Sequence, residues 1–136
     1  MLKLYFKEGL LYVSILLRHA ENDIIVDTGA SHTIILSDYL AELDVEMSDT
    51  DELVKSSGYG GMICGAVRKK MDRIEVGDMA VEDMKIDFGV IDPYDRINGL
   101  LGLDFLRSAR AVIDLDSLVI FEKNMNANEA NSDADM

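Results

Sequence analysis

The residues in this sequence best suited to chemistry lie where a short apolar run ends. Ile24-Ile25-Val26 leads directly into Asp27, which is followed by Thr28-Gly29-Ala30-Ser31. Because three apolar residues precede the carboxylate, we expect it to sit against the core at the end of a buried strand. Gly29 lets another group approach the backbone closely, and a carboxylate in such a place can take part in general acid–base chemistry. An ordinary turn, in which Asp and Gly serve only the backbone, is the alternative for so short a motif.

Two further glycine-containing motifs follow along the chain. The first is Gly58-Tyr59-Gly60-Gly61-Met62-Ile63, which predicts a turn between the strands of a long hairpin. The second is Asn98-Gly99-Leu100-Leu101-Gly102-Leu103-Asp104-Phe105-Leu106, an apolar segment punctuated by glycine. One or two helical turns are predicted over residues 104–110.

Taken in order, the three motifs resemble those of the retroviral-type aspartic proteases, the retropepsins, and of their cellular and bacterial single-domain relatives. Val26–Ser31 is similar to the catalytic loop of that family, and Gly58–Ile63 is similar to its glycine-rich flap tip. Asn98–Leu106 resembles the segment that lies beside the catalytic loop and leads into the family's helix. The resemblance covers residues 10–121. Its specificity comes from the ordered triplet and its spacing, since Asp-Thr-Gly alone is a weak signal.

The resemblance implies an aspartic endopeptidase that hydrolyses peptide bonds of a polypeptide substrate without a cofactor. Such hydrolysis needs two carboxylates, one accepting a proton from a water and the other donating a proton. Asp-Thr-Gly or Asp-Ser-Gly occurs once in this chain. A homodimer would therefore have to bring Asp27 and Asp27′ together as a dyad.

The resemblance also assigns roles to the other residues of the motifs. Thr28 would hydrogen-bond across the dimer axis, Gly29 would offer its carbonyl to an extended substrate, and Ala30 would complete the supporting loop. The residues expected to close over a bound peptide as a flap are Gly58, Tyr59, Gly60, Gly61, Met62 and Ile63. The residues expected to buttress the catalytic loop and to wall a pocket are Leu100, Leu101 and Gly102.

The sequence departs from the viral pattern at two positions. Viral members usually carry an acid where Ser31 stands and an arginine where Leu103 stands, and those two form an ion pair that supports the dimer. Losing both partners avoids leaving one charge stranded near the core. Gly102–Leu106 reads Gly-Leu-Asp-Phe-Leu, which resembles the same segment of non-viral relatives, so we assign the chain to the non-viral branch of the family. The sequence does not decide which strands form the dimer interface, and Leu118–Phe121 is one candidate.

The elements that must position these motifs are mostly short strands. β-prone runs at roughly ten-residue spacing, with little helix, predict an all-β fold. With the resemblance, this becomes a small closed β-barrel of the retropepsin (acid protease) type with one or two short helices, completed as a homodimer. Leu2–Phe6 and Leu10–Arg18 predict a first hairpin, and Ala111–Leu115 and Leu118–Phe121 predict a last one. Ser37 is predicted to cap a short helix that runs through Leu43.

Length and charge bound the classes of partner. The 136 residues support one protease domain over residues 1–121, followed by an acidic, Asn-rich tail over 122–136 that is predicted to be disordered. A net charge of −13 argues against nucleic acid and against an anionic membrane surface. No segment has the roughly 20 apolar residues that a membrane span needs. Cys64 is the single cysteine, which excludes an internal disulfide and favours a cytoplasmic location.

The remaining candidates favour plainer interpretations. Asp49, Asp51 and Glu52 lack the spacing of a calcium loop, and His19 and His32 lack zinc-type neighbours, so we predict no metal. A catalytically silent dimeric module of the same fold, which binds or scaffolds peptides, is the main alternative function. A nucleotide-binding fragment is a third hypothesis, because the strand–Asp-x-Gly pattern also resembles the first phosphate loop of the actin and sugar-kinase superfamily. The chain has no room for the second half of that fold.

Overall fold

The structure, a computed structural model, describes residues 1–43, 48–57, 63–91 and 97–123. The strands are β1 (Leu2–Lys3), β2 (Tyr5–Lys7), β3 (Leu10–Leu17), β4 (Ala20–Val26), β5 (Ile34–Leu36), β6 (Glu52–Ser57), β7 (Ile63–Val76), β8 (Met79–Gly89), β9 (Gly99–Leu101), β10 (Ala111–Asp114) and β11 (Val119–Glu122). The helices are α1 (Tyr39–Glu42) and α2 (Leu103–Ser108). Strands with only short helices confirm the predicted all-β class.

The larger sheet holds the strands that surround the Asp27 segment. Its order is β2-β3-β4-β9-β5-β8-β7-β6, and β3 also pairs with β7 through Leu16 opposite Glu75 and Leu17 opposite Ile74. Most neighbours are antiparallel, but β4 runs parallel to β9 and β5 runs parallel to β8. The pairings β3–β4–β9–β5–β8–β7–β3 therefore follow one another in a ring.

A second, three-stranded sheet gathers both ends of the described chain. Its order is β1-β11-β10, with all pairs antiparallel. Leu2 stands opposite Ile120, and Ile120 stands opposite Ile113 on the other side. The first and last strands are thus joined within one protomer.

Alternating burial along the strands sets the core. On β3, Val13, Ile15 and Leu17 are fully buried while the residues between them are partly exposed. Since successive strand residues point to opposite faces, one face of β3 is apolar and packs inward. The central part of the core includes Phe88 from β8 and Phe105 from α2.

Two local expectations differ from the observed elements. The run Leu2–Phe6 is not one strand, because Leu4 is buried at 4% exposure between β1 and β2, which belong to different sheets. The helix predicted from Ser37 to Leu43 is shorter, with Asp38 as its N-cap and Leu43 as its C-cap. The last predicted hairpin is present as β10 and β11, and β7 and β8 form a further hairpin about Gly77-Asp78.

A buried ion pair ties the start of β6 to the middle of β7. The Lys69 ammonium donates to the Asp51 carboxylate, and their side chains are 5% and 7% exposed. The backbone N–H of Ser48 donates to the same carboxylate at 2.7 Å. These bonds hold the pKa of the Asp51 carboxyl below its usual 3.8, and the bond from Lys69 is the largest cause.

Replacing Asp51→Asn is expected to change how stability depends on pH. Because the folded-state pKa is lowered, the ionised carboxylate stabilises the fold fully above pH 3.8, and this contribution is lost as the pH falls through the lowered value. The variant should be less stable than the parent at neutral pH, and the difference should shrink in acid. Urea unfolding across the pH range measures it. Asp72→Asn, on the exposed side of β7, is the matched control, and an equal effect there would contradict the assignment.

Candidate active site

Asp27 begins the loop at the end of β4, next to β9. Ile25 and Val26 pair in parallel with Leu100 and Leu101, and the Asp27 N–H continues the ladder by donating to the Leu101 carbonyl at 3.0 Å. The side chain of Asp27 is half-buried. The third motif of the sequence thus lies directly beside the first, which places Asp27 at a fixed position on the edge of the core.

The loop of residues 27–33, here named the Asp27 loop, starts with a turn built on Asp27 itself. The Gly29 N–H donates to Oδ1 of Asp27 at 2.9 Å, and the Ala30 N–H donates to the Asp27 carbonyl at 3.2 Å. A Cβ at residue 29 would lie 3.2 Å from that same Oδ1, tighter than most such contacts. Thr28 and Gly29 are exposed. The carboxylate is therefore oriented by its own loop while the loop tip faces outward.

The start of α2 supports the far side of the Asp27 loop. The Leu103 N–H donates to the Ala30 carbonyl at 2.8 Å, and the Asp104 N–H donates to the Ser31 carbonyl at 3.2 Å. A Cβ at Gly102 would lie 2.6–2.7 Å from backbone atoms of His32 and 2.9 Å from the Ala30 oxygen. Only glycine fits at 102 without displacing the loop.

Thr33 closes the loop with side-chain bonds that span the chain. Its N–H donates to both Asp104 oxygens at 3.0 and 2.9 Å, and its hydroxyl donates to Oδ1 at 2.7 Å. The same hydroxyl oxygen accepts a bond of 3.0 Å from the buried Gly102 N–H. The Phe105 N–H adds a further bond to Asp104 at 2.7 Å. Thr33, which is fully buried, thus joins the Asp27 loop to α2.

An ion pair extends these contacts toward β7. The Thr33 carbonyl accepts from the Asp87 N–H at 3.0 Å. The Asp87 carboxylate, 5% exposed, accepts two bonds from Arg68, at 2.6 Å from Nε and 3.1 Å from Nη2. This bidentate bond is the main reason that the pKa of Arg68 is raised. Strand β7, which follows the glycine-rich turn, is therefore linked to the loop through two bonded residues.

The structure brings together part of the predicted site. Asp27, Thr28, Gly29 and Ala30 form one turn beside Leu100–Gly102. The predicted flap tip Gly58–Met62 lies outside the described residues, and Ile63 is the first residue of β7.

Sequence reasoning missed the polar residues that brace the loop. Thr33 and Asp87 were not singled out, and Asp104 was seen only as part of a motif. A clue was present in Asp104, an acid inside the otherwise apolar third motif.

Among the described residues, no group of three or more His, Cys, Asp or Glu could hold a metal ion. In the same part of the chain, no helix is long and apolar enough to cross a membrane.

Comparison with known proteins settles the family. A sequence profile described as aspartyl protease matches residues 18–105, more than half of the chain and including Asp27. The chain belongs to the aspartyl protease family. Among solved structures, the chain is similar to a retropepsin-like aspartic protease from Rickettsia conorii, with 18% identity, a TM-score of 0.66, and coverage of 89% of this chain and 97% of that one. The likeness confirms the retropepsin-like fold. No curated protein matches the sequence.

Removing the Thr33 hydroxyl should weaken the protease fold at this loop. Thr33→Val keeps the shape but leaves the Gly102 N–H without its partner and takes one bond from Asp104. An unsatisfied buried group of this kind costs about 1–3 kcal/mol. Denaturant unfolding measures the loss. Thr50→Val, at an exposed position, should change stability by much less, and equal losses would refute the role given to Thr33.

Adding one methyl group at residue 102 tests the close approach of loop and helix. Gly102→Ala places a Cβ against backbone atoms of His32 and Ala30, so the loop must move. Overpacking of this kind costs about 1–3 kcal/mol. Gly65→Ala is the control, since nothing lies within 4 Å of a Cβ there. Thermal unfolding of both variants should show a clear decrease for the first only, and unchanged stability of Gly102→Ala would contradict the geometry.

Proposed function

We propose that this protein is an aspartic endopeptidase whose active site is completed by a second copy of the chain. Membership of the aspartyl protease family and the retropepsin-like fold support a protease-type function. The observation that carries the proposal further is the position of Asp27. It is the carboxylate of the Asp-Thr-Gly turn, half-buried and held at the end of paired strands β4 and β9. Each chain contributes one such carboxylate.

In the proposed mechanism, Asp27 and Asp27′ share one proton across a twofold axis. Two nearby carboxylates cannot both ionise easily, so one remains protonated. The ionised partner accepts a proton from a water as its oxygen attacks the peptide carbonyl carbon, and the protonated partner donates to the carbonyl oxygen. This attack gives a tetrahedral gem-diol. Its C–N bond breaks as the leaving amine takes the proton that the first carboxylate accepted from water, and one gem-diol hydroxyl returns a proton to the second carboxylate. The Gly29 N–H bond to Asp27 fits this role, because it fixes the orientation of one carboxylate oxygen.

The surrounding residues then bind and enclose the peptide. Exposed Thr28 and Gly29 are available to the second copy and to an extended substrate backbone. Leu100 pairs with Ile25, two residues before Asp27. Its proposed role is to line a pocket, with Leu101 and Gly102 behind it. The glycine-rich segment from Gly58 is proposed to cover the substrate. With one cysteine per chain, the enzyme is proposed to work in the cytoplasm.

Changing Asp27→Asn tests the proposal directly. The amide cannot accept the proton from water, so cleavage of an unstructured polypeptide such as casein should fall by roughly 10²–10⁴-fold. Mass spectrometry of the products detects residual cleavage, and circular dichroism confirms that the variant folds. Asp38→Asn is the matched control, because Asp38 is exposed and its side chain makes no capping bond.

Two outcomes would overturn the peptidase proposal. Undiminished cleavage by the Asn variant would mean that the activity does not come from Asp27. Peptide that binds the parent protein but is never cleaved between mildly acidic and neutral pH would favour the silent peptide-binding module instead.

A further inference from the structure

Two tyrosines lie side by side at one end of the larger sheet. Within the described residues, β2 is the outermost strand there and pairs with β3 alone. Tyr5 on β2 stands opposite Tyr12 on β3, and their rings stack with centroids 5.5 Å apart and planes 14° from parallel. Tyr5 is 40% exposed. Tyr12 thus covers one face of the Tyr5 ring, and the outer position of β2 leaves the ring partly accessible.

The stacked pair shares a face of the sheet with Asp27. Tyr12 stands opposite Ile25 on β4, so both side chains lie on the face that also carries Tyr5. Side chains two residues apart on a strand point to the same face. Asp23, Ile25 and, one position past the end of β4, Asp27 therefore follow one another along this face.

The geometry of the sheet sets the distance from the stacked pair to Asp27. Tyr5 is two strands away from β4 and level with Ile25, which is two residues before Asp27. With about 4.8 Å between neighbouring strands and about 3.3 Å per residue, the backbone of Tyr5 is about 12 Å from that of Asp27. An extended peptide covers this distance in about four residues. A substrate residue about four positions from the cleaved bond therefore reaches the stacked pair.

The surroundings of the stacked pair are acidic. Desolvation, followed by a hydrogen bond from the Tyr5 hydroxyl to the Asp23 carboxylate, raises the pKa of Tyr5 to about 12. Glu21 lies on the same face and accepts a bond from the Ser14 hydroxyl at 3.1 Å, and both acidic residues are exposed. Lys7 is the one cation on this face of β2, β3 and β4. A cationic side chain that lies on the tyrosines is therefore attracted both by their ring faces and by the carboxylates.

We propose that Tyr5, Tyr12 and Asp23, here named the tyrosine subsite, bind an arginine side chain of the peptide substrate about four residues from the cleaved bond. The proposal rests on the proposed function, since it concerns the substrate of that same site. A guanidinium group is planar, so it stacks on a tyrosine ring while its N–H groups donate to a carboxylate. Because the proposed active site has a twofold axis, each copy supplies one subsite, one on each side of the cleaved bond.

Both tyrosines lie outside the part of the chain that matches the family profile. The match covers residues 18–105, and Tyr5 and Tyr12 precede it. The preference for arginine is therefore a property proposed for this chain and not for aspartyl proteases as a class.

Peptides that differ at a single residue test the tyrosine subsite. A cleavage site mapped in casein by mass spectrometry supplies the parent peptide, and arginine or citrulline is placed four residues to either side of the cleaved bond. Citrulline keeps the planar shape and the length of arginine but has no charge. The arginine peptide should have a kcat/KM about three- to tenfold higher, through a lower KM, and high salt should reduce this ratio. Equal values for the two peptides, with the substitution at the third, fourth or fifth residue on both sides, would overturn the proposal.

Substitutions in the chain separate the tyrosine subsite from the overall negative charge. Tyr5→Leu should remove most of the preference for arginine over citrulline, whereas Tyr5→Phe, which keeps the ring, should retain much of it. Phe6→Leu is the matched control for the loss of a ring, because Phe6 is 58% exposed on the opposite face of β2.

Asp23→Asn should also lower the preference, since it removes the carboxylate beside the ring. Asp116→Asn, in the exposed turn before β11, removes the same charge elsewhere and is its control. Circular dichroism confirms that each variant folds. A preference that survives Tyr5→Leu, or that falls equally in the two control variants, would refute the assignment.

Binding measurements distinguish a failure of the tyrosine subsite from a failure of the proposed function. Fluorescence anisotropy compares labelled arginine and citrulline peptides, and it is repeated in an Asp27→Asn background, where the readout does not depend on cleavage. Tighter binding of the arginine peptide that is lost in Tyr5→Leu, without cleavage by the parent protein, would uphold the subsite and refute the peptidase. Cleavage without any preference for arginine would uphold the peptidase and refute the subsite.

Discussion

The hydrogen bonds between Thr33 and Asp104 hold the site together. These residues lie 71 positions apart, yet the carboxylate accepts both the backbone N–H and the hydroxyl of the threonine. A charged acceptor makes such bonds shorter and stronger than those between neutral groups. Because the same hydroxyl oxygen accepts a hydrogen bond from the Gly102 N–H, the loop that carries Asp27 is anchored to the start of α2.

The flanking charges make this arrangement rigid on its other side. Arg68 and Lys69 are consecutive on β7, so they point to opposite faces, and each is paired with a carboxylate that is largely buried. Removing one partner of such a pair leaves an uncompensated buried charge, which destabilises the fold. Each pair therefore favours the arrangement in which its two residues are adjacent. Ion pairs therefore hold the described part of β7 on both of its faces, at Arg68 and Lys69.

The sequence allowed much of the scaffold to be predicted, because its signals are local. Asp27 at a strand end, the last hairpin and the helix after Gly102 all follow from short local patterns of residues. The bracing contacts could not be predicted, since the pairs Thr33–Asp104 and Arg68–Asp87 depend on which strands become neighbours. In the sequence alone, a charged residue inside a strand looks like a solvent-facing position, because its oppositely charged partner lies on another element. The split of Leu2–Phe6 between two sheets was also hidden, because both halves have the same β propensity.

The joining of β1 to β11 inside one protomer has a consequence for how the protein responds to concentration. In a dimer whose terminal strands are exchanged, folding and association are one event, and the chain has no stable form alone. Here the first and last strands already satisfy each other. If two copies associate as proposed, folding is a first-order process and association a separate, second-order one. Dilution would then part the two copies while leaving each chain folded, and the proposed activity would depend on the concentration of the protein.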